Sequence, residues 1–213
     1  MTSPPLQNRV DPWGALCADP HRGALMGNRG ILHDDTNKIV RPWAHKAWVT
    51  CLLEFKKIKR PRPFSKGNYS ELFFIDEATA FAAGHRPCAY CQRQRHLAFK
   101  AAWLQANVVE ENHAGTSMKE IDGILHAERA VRGGGKTTFD AMLSELPSGV
   151  IFEYESHAYL VSNRAGYLRW SFGGYLDARN IEPTAVVKVL TPRSIVRAFR
   201  RGFSPLVHLS APA

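Results

Sequence analysis

The sequence predicts an α+β fold: an N-terminal strand pair with helices, then a small antiparallel sheet or partly open barrel, then a basic C-terminal helix. Three observations lead to this prediction. A C-x2-C cysteine pair, Cys88 and Cys91, stands between two helical segments. Four short runs rich in β-branched and aromatic residues follow residue 146. The last helical segment carries four arginines and no carboxylate.

Three parts are expected along the chain of 213 residues. Residues 1–20 contain S-P-P and two D-P pairs without periodicity, which indicates a loose arm. Residues 21–145 are expected to form a cysteine-bearing subdomain with helices. Residues 146–213 are expected to form a small antiparallel β subdomain that ends in a helix.

The composition is that of an ordinary globular protein. The apolar fraction of 45% and the charged fraction of 22% are near the averages of folded domains. No apolar run reaches the length of about 20 residues that a membrane span requires, and the N-terminus lacks the pattern of a secretory signal. We therefore expect a cytoplasmic protein without membrane contact. The net charge of +9 indicates a polyanionic partner, although a merely basic soluble protein has the same property.

Two strands are expected to bring a third cysteine towards the pair. The run A-W-V-T-C-L-L-E-F is rich in β-branched and aromatic residues and predicts a strand that carries Cys51. Residues 71–75 predict a second strand, able to pair with the first. Upstream, the glycine-rich residues 21–40 can hold two short strands joined near Gly27 and Asn28.

The loop between these two strands is basic and contains prolines. It either contacts phosphate groups or is a solvated hairpin connection, and the sequence leaves both interpretations open. Its cationic residues are Lys56, Lys57, Lys59, Arg60, Arg62 and Lys66.

The stretch around Cys88 and Cys91 predicts a metal centre. Asp76 is a predicted helix N-cap and Gly84 a predicted helix end, so a short helix leads to the pair. Two thiolates in this spacing can bind one tetrahedral ion, and structural zinc takes four nitrogen or sulfur ligands. Cys51 is the expected third ligand, and the N-terminal strand pair is therefore expected to be stabilised by Zn²⁺.

A resemblance to a known family appears at this point. The run F-F…E-A…A-A-G-H-R-P-C-A-Y-C resembles the second half of the metal-binding domain of the Ada-type DNA alkylation-repair proteins. The chain as a whole is also similar to a bacterial family that carries this motif, which implies no activity. The Ada resemblance implies a zinc-binding subdomain over residues 21–145, DNA rather than RNA as partner, and a link to DNA repair or modification. It also implies that a zinc cysteine accepts a methyl group from DNA phosphate, with Cys51 as the upstream thiolate for that role.

The fourth ligand is left open by the sequence. The Ada pattern has two upstream cysteines close together where this chain has one, which favours a purely structural zinc site over methyl transfer. His45, six positions before Cys51, is the first candidate and Cys17 the second. His33 and His85 are the remaining candidates.

Two helical segments between residues 92 and 131 carry candidate functional side chains. The first has a predicted basic stripe of Arg93, His96 and Lys100 on the side opposite Leu97, Ala101 and Leu104. This stripe, with Arg93 as a phosphate contact, either lies against nucleic acid or is the solvated side of a packed helix. The second has three polar side chains at i, i+4 and i+7, which form either the acid, base and anion clamp of an active site or an exposed ion-paired face. They are Asp122, His126 and Arg129.

The R-G-G-G-K-T-T run after the second of these helices is not a P-loop. Ala130 stands where the pattern requires its first glycine, and a helix rather than a strand precedes the run. We interpret it as a flexible loop whose Lys136 can still contact phosphate.

The C-terminal helix is the clearest polyanion signal outside the cysteine stretch. Thr191 is its predicted N-cap and Gly202 its predicted end. No carboxylate neutralises its arginines. They are Arg193, Arg197, Arg200 and Arg201.

Three hypotheses for the function follow. The first is a zinc-binding, nucleic-acid-binding protein linked to DNA repair or modification. The second is a zinc-stabilised enzyme, a nuclease, glycosylase or methyl-accepting repair protein, that acts on nucleic acid or a phosphorylated substrate. The third is a zinc-stapled protein-interaction module. Whether the protein is an enzyme and how it oligomerises are left open.

Overall fold

The computed structural model describes residues 4–58 and 62–212, and in that part of the chain it contains two six-stranded sheets and four α-helices. The predicted α+β fold class is confirmed. The strands of the first sheet are β1 (Gln7–Val10), β2 (Leu16–Ala18), β3 (Leu25–Asn28), β4 (Val49–Leu52), β5 (Leu72–Phe74) and β6 (Arg86–Pro87). They lie in the order β2-β1-β5-β3-β4-β6, with β1–β5 and β4–β6 parallel and the other neighbours antiparallel.

The predicted loose arm over residues 1–20 contains a strand hairpin instead. β1 and β2 pair antiparallel, and β1 also pairs with β5. The D-P-W-G segment makes the turn, because Gly14 donates its N–H to the Asp11 carbonyl at 2.9 Å and Ala15 donates to Asp11 Oδ1 at 2.9 Å. Proline, aspartate and glycine are therefore turn signals here rather than signs of an unstructured segment.

The strand that carries Cys51 does not pair with the strand predicted over residues 71–75. β3 lies between them and is antiparallel to both β4 and β5. Gly27 and Asn28, the predicted turn, belong to β3. Local sequence patterns predict strands but not which strands become neighbours, and the long connections before β4 and β5 leave room for this insertion.

The helices are α1 (Glu77–Ala82), α2 (Arg93–Asn107), α3 (Met118–Arg129) and α4 (Arg193–Arg200), and they match the predicted helical segments. Asp76 caps α1, since its Oδ1 accepts a backbone N–H of the first turn at 2.8 Å. Ser117 and Glu120 form a capping box at the start of α3. Thr191 does not cap α4, because its Oγ1 accepts the N–H of Ile151 at 3.0 Å.

The buried face of α2 differs from the predicted face. Its buried residues are His96, Phe99, Trp103 and Leu104. Leu97, predicted to be buried, is 47% exposed. Aromatic side chains bury more apolar area than leucine or alanine, and Phe99 stacks on Phe81 of α1 with ring centroids 5.4 Å apart. His96 is therefore part of the packed side of the helix rather than of a basic stripe.

The second sheet is antiparallel throughout, in the order β11-β10-β9-β8-β12-β7. Its strands are β7 (Phe139–Met142), β8 (Ile151–Tyr154), β9 (His157–Ser162), β10 (Gly166–Ser171), β11 (Gly174–Arg179) and β12 (Val186–Val189). The four predicted runs are β8, β9, β10 and β12. β7 and β11 were not predicted, since Asp140 and Asp177 interrupt their apolar patterns.

The helices and the second sheet share one hydrophobic core. Phe81 of α1, Trp103 of α2 and Ile121 of α3 lie in the same buried cluster as Phe152 of β8 and Val187 of β12. β7 also begins before residue 146. The boundary predicted between residues 145 and 146 therefore runs through a common core. No helix in the described ranges is long and apolar enough to cross a membrane.

Gly84→Ala is expected to lower the free energy of unfolding by about 2–4 kcal/mol, because backbone strain and overlap combine. Gly84 has φ +83°, and an added Cβ would lie 2.2 Å from Arg129 Cδ. The matched control is Gly67→Ala, where φ is +77° and no atom lies within 4 Å of the added Cβ. The control should lower the free energy of unfolding only by the cost of a positive φ for alanine, roughly 1–2 kcal/mol. Urea unfolding measures both, and equal losses would contradict the steric contribution of Arg129.

Candidate metal centre

The pairing of β6 with β4 brings the three cysteines together. Thr50 lies opposite Pro87 in this parallel pair, so Cys51 and Cys88, the next residues of the two segments, leave the sheet side by side. The Cys88 N–H donates to the Thr50 carbonyl at 2.9 Å. Cys91 follows in the turn before α2. The cysteines thus meet through strand β6, and not through the β4–β5 pair that the sequence predicted.

The sulfur atoms of Cys51, Cys88 and Cys91 all lie within 4.8 Å of one another, and each residue is partly exposed. Zinc bonded to sulfur at about 2.3 Å in a tetrahedron holds its sulfurs roughly 3.8 Å apart. Only small side-chain shifts would therefore close the three thiols around an ion. The group can hold a metal ion.

Backbone N–H groups point at the sulfurs. Tyr90 N–H donates to Cys88 Sγ and Leu52 N–H donates to Cys91 Sγ, each at 3.4 Å. The hydrogen bond from the Cys51 thiol, helped by backbone N–H groups, lowers the pKa of Cys88 to about 5. The same hydrogen bond, with burial, raises the pKa of Cys51, and burial raises the pKa of Cys91. Cys88 is thus the thiolate of the group, and it accepts a hydrogen bond from the Cys51 thiol. A bound divalent cation would favour ionisation of all three cysteines.

The described part of the chain supplies no fourth ligand to the group. Within residues 4–58 and 62–212, no other Cys, His, Asp or Glu lies with the three sulfurs. His45, the first candidate, is exposed and outside the group. The other candidates have partners elsewhere: Cys17 donates to Asp11, His33 contacts Ser70, and His85 accepts from Arg29. A metal ion held by the three thiolates would therefore keep one open coordination position.

A buried ion pair holds β6 in place, and sequence reasoning missed it. Arg86 donates from Nε and Nη2 to the two oxygens of Asp122, both at 2.7 Å. Both side chains are only 7% exposed. His96 of α2 contacts the Pro87 carbonyl at 3.1 Å. The R-P-C order was the only available signal, and nothing in it identifies a partner on α3.

The predicted catalytic residues Asp122, His126 and Arg129 lie on α3 but do not act on one another. Asp122 pairs with Arg86, His126 packs on Trp43 and Trp48, and Arg129 donates to the carbonyls of Gly84 and Lys46. No hydrogen bond joins the three side chains in the described structure. Burial lowers the pKa of His126. Each of the three side chains therefore makes its own structural contact with a different part of the protein.

Most of the predicted phosphate-contacting residues lie on the surface. The exposed ones are Lys56, Lys57, Arg62, Arg93, Arg193, Arg197, Arg200 and Arg201. Lys59 and Arg60 fall outside the described residues. The guanidinium of Arg193 lies 4.0 Å from the centre of the Phe139 ring, and Arg200 donates to the Glu145 carbonyl at 2.8 Å. No carboxylate in the described chain forms an ion pair with the α4 arginines.

No protein-family model, no curated protein and no solved structure matches this chain. Its function is therefore inferred from its own residues.

The purified protein is expected to contain one zinc ion per chain, because three thiolates with one open position suit this ion. Cys51→Ser, Cys88→Ser and Cys91→Ser should each remove most of the metal. Elemental analysis by mass spectrometry gives the stoichiometry. Cys17→Ser is the matched control and should retain the metal, since this thiol donates to Asp11. Full metal content in Cys51→Ser would rule out the three-cysteine centre.

Asp122→Asn is expected to lower the free energy of unfolding by about 3 kcal/mol, because it leaves the buried Arg86 without its charged partner. It should also weaken zinc binding roughly ten-fold, since β6 positions Cys88. Chemical unfolding and competition with a zinc chelator measure the two effects. Asp35→Asn removes the exposed Lys66–Asp35 pair and should change neither quantity measurably. Unchanged zinc affinity in Asp122→Asn would show that the Arg86–Asp122 ion pair does not position the zinc ligands.

Proposed function

We propose that this chain is a zinc-binding protein that binds nucleic acid through the surface around its cysteine centre. Three thiolates are soft ligands that favour zinc among the common cellular divalent ions. The open position leaves the ion partly accessible, and the loops that carry the cysteines form the surrounding surface.

The main support for this proposal is a cluster of two aromatic rings and a lysine beside the cysteines. Tyr90, between the two cysteines of the C-x2-C pair, is 63% exposed. Its ring lies 5.1 Å from that of Phe55, and the Lys56 ammonium lies 5.3 Å from both ring centres. Exposed aromatic rings stack on bases, and adjacent cations contact the backbone phosphates. This combination is typical of surfaces that bind single-stranded nucleic acid.

The backbone of the basic loop supports the same interpretation. Lys56 and Lys57 have φ +48° and +55°, and Ile58 N–H donates to the Phe55 carbonyl at 3.0 Å. Two consecutive residues with positive φ in a hydrogen-bonded turn are unfavourable for lysine, which has a Cβ. Such strain is commonly retained where side chains must be presented in a fixed direction. Here it places both lysines at the tip of the turn beside Tyr90.

The arginines of α4 form a second basic surface, in which Arg197 lies beside Asn107 at the end of α2 away from the cysteines. Asn107, the last residue of α2, donates to the Ser194 carbonyl at the start of α4. Phe203, just after α4, contacts Phe99 in the first half of α2. The two helices are therefore antiparallel, and the Arg200 end of α4 is directed towards the end of α2 that begins at the cysteines. Exposed arginines without carboxylate partners supply the salt-dependent part of nucleic-acid binding.

The partial exposure of the three clustered thiols supports a second candidate function, methyl transfer of the Ada type. A zinc-bound thiolate would attack the methyl carbon of a methylated DNA phosphate, the C–O bond would break, and its electron pair would remain on the phosphodiester. Incubation with a methylphosphotriester oligonucleotide should then replace one thiol hydrogen by a methyl group on Cys51, detected by peptide mass spectrometry. If Cys51 remains unmodified, methyl transfer is excluded and nucleic-acid binding remains as the proposed function.

Tyr90→Ala is expected to weaken binding to a single-stranded oligonucleotide roughly ten-fold, the loss of one base stack of about 1–3 kcal/mol. The double variant Lys56→Ala/Lys57→Ala should reduce the slope of log affinity against log salt by about 1–2, one unit for each lost phosphate contact. Fluorescence anisotropy with single-stranded DNA, duplex DNA and RNA measures both and identifies the preferred partner.

Arg169→Gln is the matched control for these substitutions. Arg169 is exposed on β10 of the second sheet, and its loss should leave affinity unchanged apart from a small general charge effect. Zinc content of the Tyr90 variant must equal that of wild type. Failure to bind any of the three nucleic acids at low salt would exclude the proposed function. A defined complex with a protein partner would then favour the protein-interaction module.

A further inference from the structure

A cavity of about 710 Å³ opens between the two sheets, and none of the three clustered cysteines lines it. One wall is the D-P-W-G turn between β1 and β2. The other walls are formed by residues 39–43, Trp48 and the glycine loop after α3. Glu153 and Lys188 line the cavity from the second sheet. Ligand sites are commonly cavities of roughly this size formed where structural layers meet.

Arg29 lies in the wall of this cavity and is incompletely satisfied. It is 2% exposed, and its guanidinium lies 4.1 Å from the centre of the Trp48 ring. Nη1 donates to the Gly14 carbonyl at 2.9 Å and Nε donates to His85 Nε2 at 3.2 Å. Nη2 is buried with no hydrogen-bond partner among the described residues. A buried guanidinium nitrogen without an acceptor is unfavourable in the empty protein and becomes favourable when an anion occupies the cavity.

Four further cations line the same cavity, and two of them, Arg129 and Lys136, interact electrostatically with Arg29. Arg129 lies on the Trp48 ring as well, 4.1 Å from its centre, and its Nε has no partner among the described residues. Lys136 of the glycine loop donates from Nζ to the Ala82 carbonyl at 2.5 Å, which leaves two of its N–H bonds for a ligand. Burial, followed by the charges of Arg29 and Arg129, lowers the pKa of Lys136 to about 7. The three cations therefore repel one another in the absence of a ligand.

The carboxylates near the cavity do not balance these cations. The Asp11 carboxylate acts on both Arg29 and Lys136, but burial raises its own pKa. Glu153 accepts the Trp13 Nε1–H at 2.6 Å and stands opposite Lys188 in the β8–β12 pairing. The remaining excess of positive charge suits a dianion, and a phosphate monoester carries about −1.5 to −2 at neutral pH.

The walls also present aromatic surface. Trp13 and Trp43 line the cavity with partly exposed rings, whereas Trp48 is buried beneath Arg29 and Arg129. Trp43 is partly exposed, with its ring 6.0 Å from that of Trp48. Indole faces stack on planar rings, and base stacking on such faces contributes about 1–3 kcal/mol. The cavity thus joins a cationic end to aromatic walls.

We propose that this cavity binds a phosphate monoester attached to a planar ring, with Arg29 and Lys136 as its phosphate contacts. A free nucleoside monophosphate has this chemistry, and so does the 5′-phosphorylated end of a nucleic-acid strand. The proposal concerns a separate site and does not depend on nucleic-acid binding at the cysteine centre.

The test is calorimetric titration of the full-length, zinc-loaded protein. The probes are adenosine 5′-monophosphate, adenosine, inorganic phosphate, and one oligonucleotide with and without a 5′-phosphate. The monophosphate should bind roughly ten-fold or more tightly than either adenosine or inorganic phosphate, because it engages both ends of the cavity. Lys136→Gln and Arg29→Lys should each weaken this binding about ten-fold. Arg169→Gln, which alters an exposed arginine outside the cavity, is the matched control and should bind as wild type.

The outcomes separate the two sources of the ligand. Binding of free monophosphate supports a soluble nucleotide, whereas 5′-phosphate-dependent binding of the oligonucleotide alone, lost in Lys136→Gln, supports a strand end. Thermal unfolding of each variant shows whether it is folded. If Arg29→Lys does not fold, the comparison of Lys136→Gln with wild type decides the test. The proposal is overturned if adenosine or inorganic phosphate binds as tightly as the monophosphate, if folded Lys136→Gln binds it normally, or if no phosphate-bearing probe binds.

Discussion

The pairing of a two-residue strand with β4 is the constraint on which the cysteine centre depends. β6 consists of Arg86 and Pro87, and such a short parallel pairing is weak by itself. The buried ion pair between Arg86 and Asp122 joins this strand to α3 from the other side. A buried pair adds little net stability but is costly to break. Its role is therefore positional: it fixes the backbone from which Cys88 reaches the position beside Cys51.

The same segment connects the cysteine centre with the cavity between the sheets. Gly84 gives Arg129 room, because any side chain at this position would overlap it. His85 accepts a hydrogen bond from Arg29 and is fully buried. Three residues further on, Cys88 enters the metal group. One segment of five residues therefore contributes to both sites.

The sequence predicts elements whose signals are local and fails where the signal depends on distant residues. Asp76 and the C-x2-C pair announce a helix cap and two metal ligands within a few positions. The insertion of β3 between the two predicted strands, and the contact of Arg86 with a carboxylate 36 positions later, have no such local signal. The periodic spacing of Asp122, His126 and Arg129 was real, but tertiary contacts gave each side chain a different partner. The three-cysteine group could be predicted because its residues are chemically distinctive, whereas the cavity is formed by ordinary residues from segments dispersed between Gln7 and Lys188.

The positive charge of the chain takes two physical forms, and they have different consequences. The arginines of α4 are exposed, so dissolved ions screen them and their attraction to a polyanion decreases steeply with salt. Arg29 and Arg129 are buried against one indole ring, where their charge must be offset by hydrogen-bond acceptors or by a bound anion. Burial removes water from both side chains and lowers the pKa of both guanidinium groups to about 9. Arg129 is held by the carbonyls of Gly84 and Lys46, whereas Arg29 Nη2 has no acceptor among the described residues and is the buried donor that an anionic ligand would satisfy.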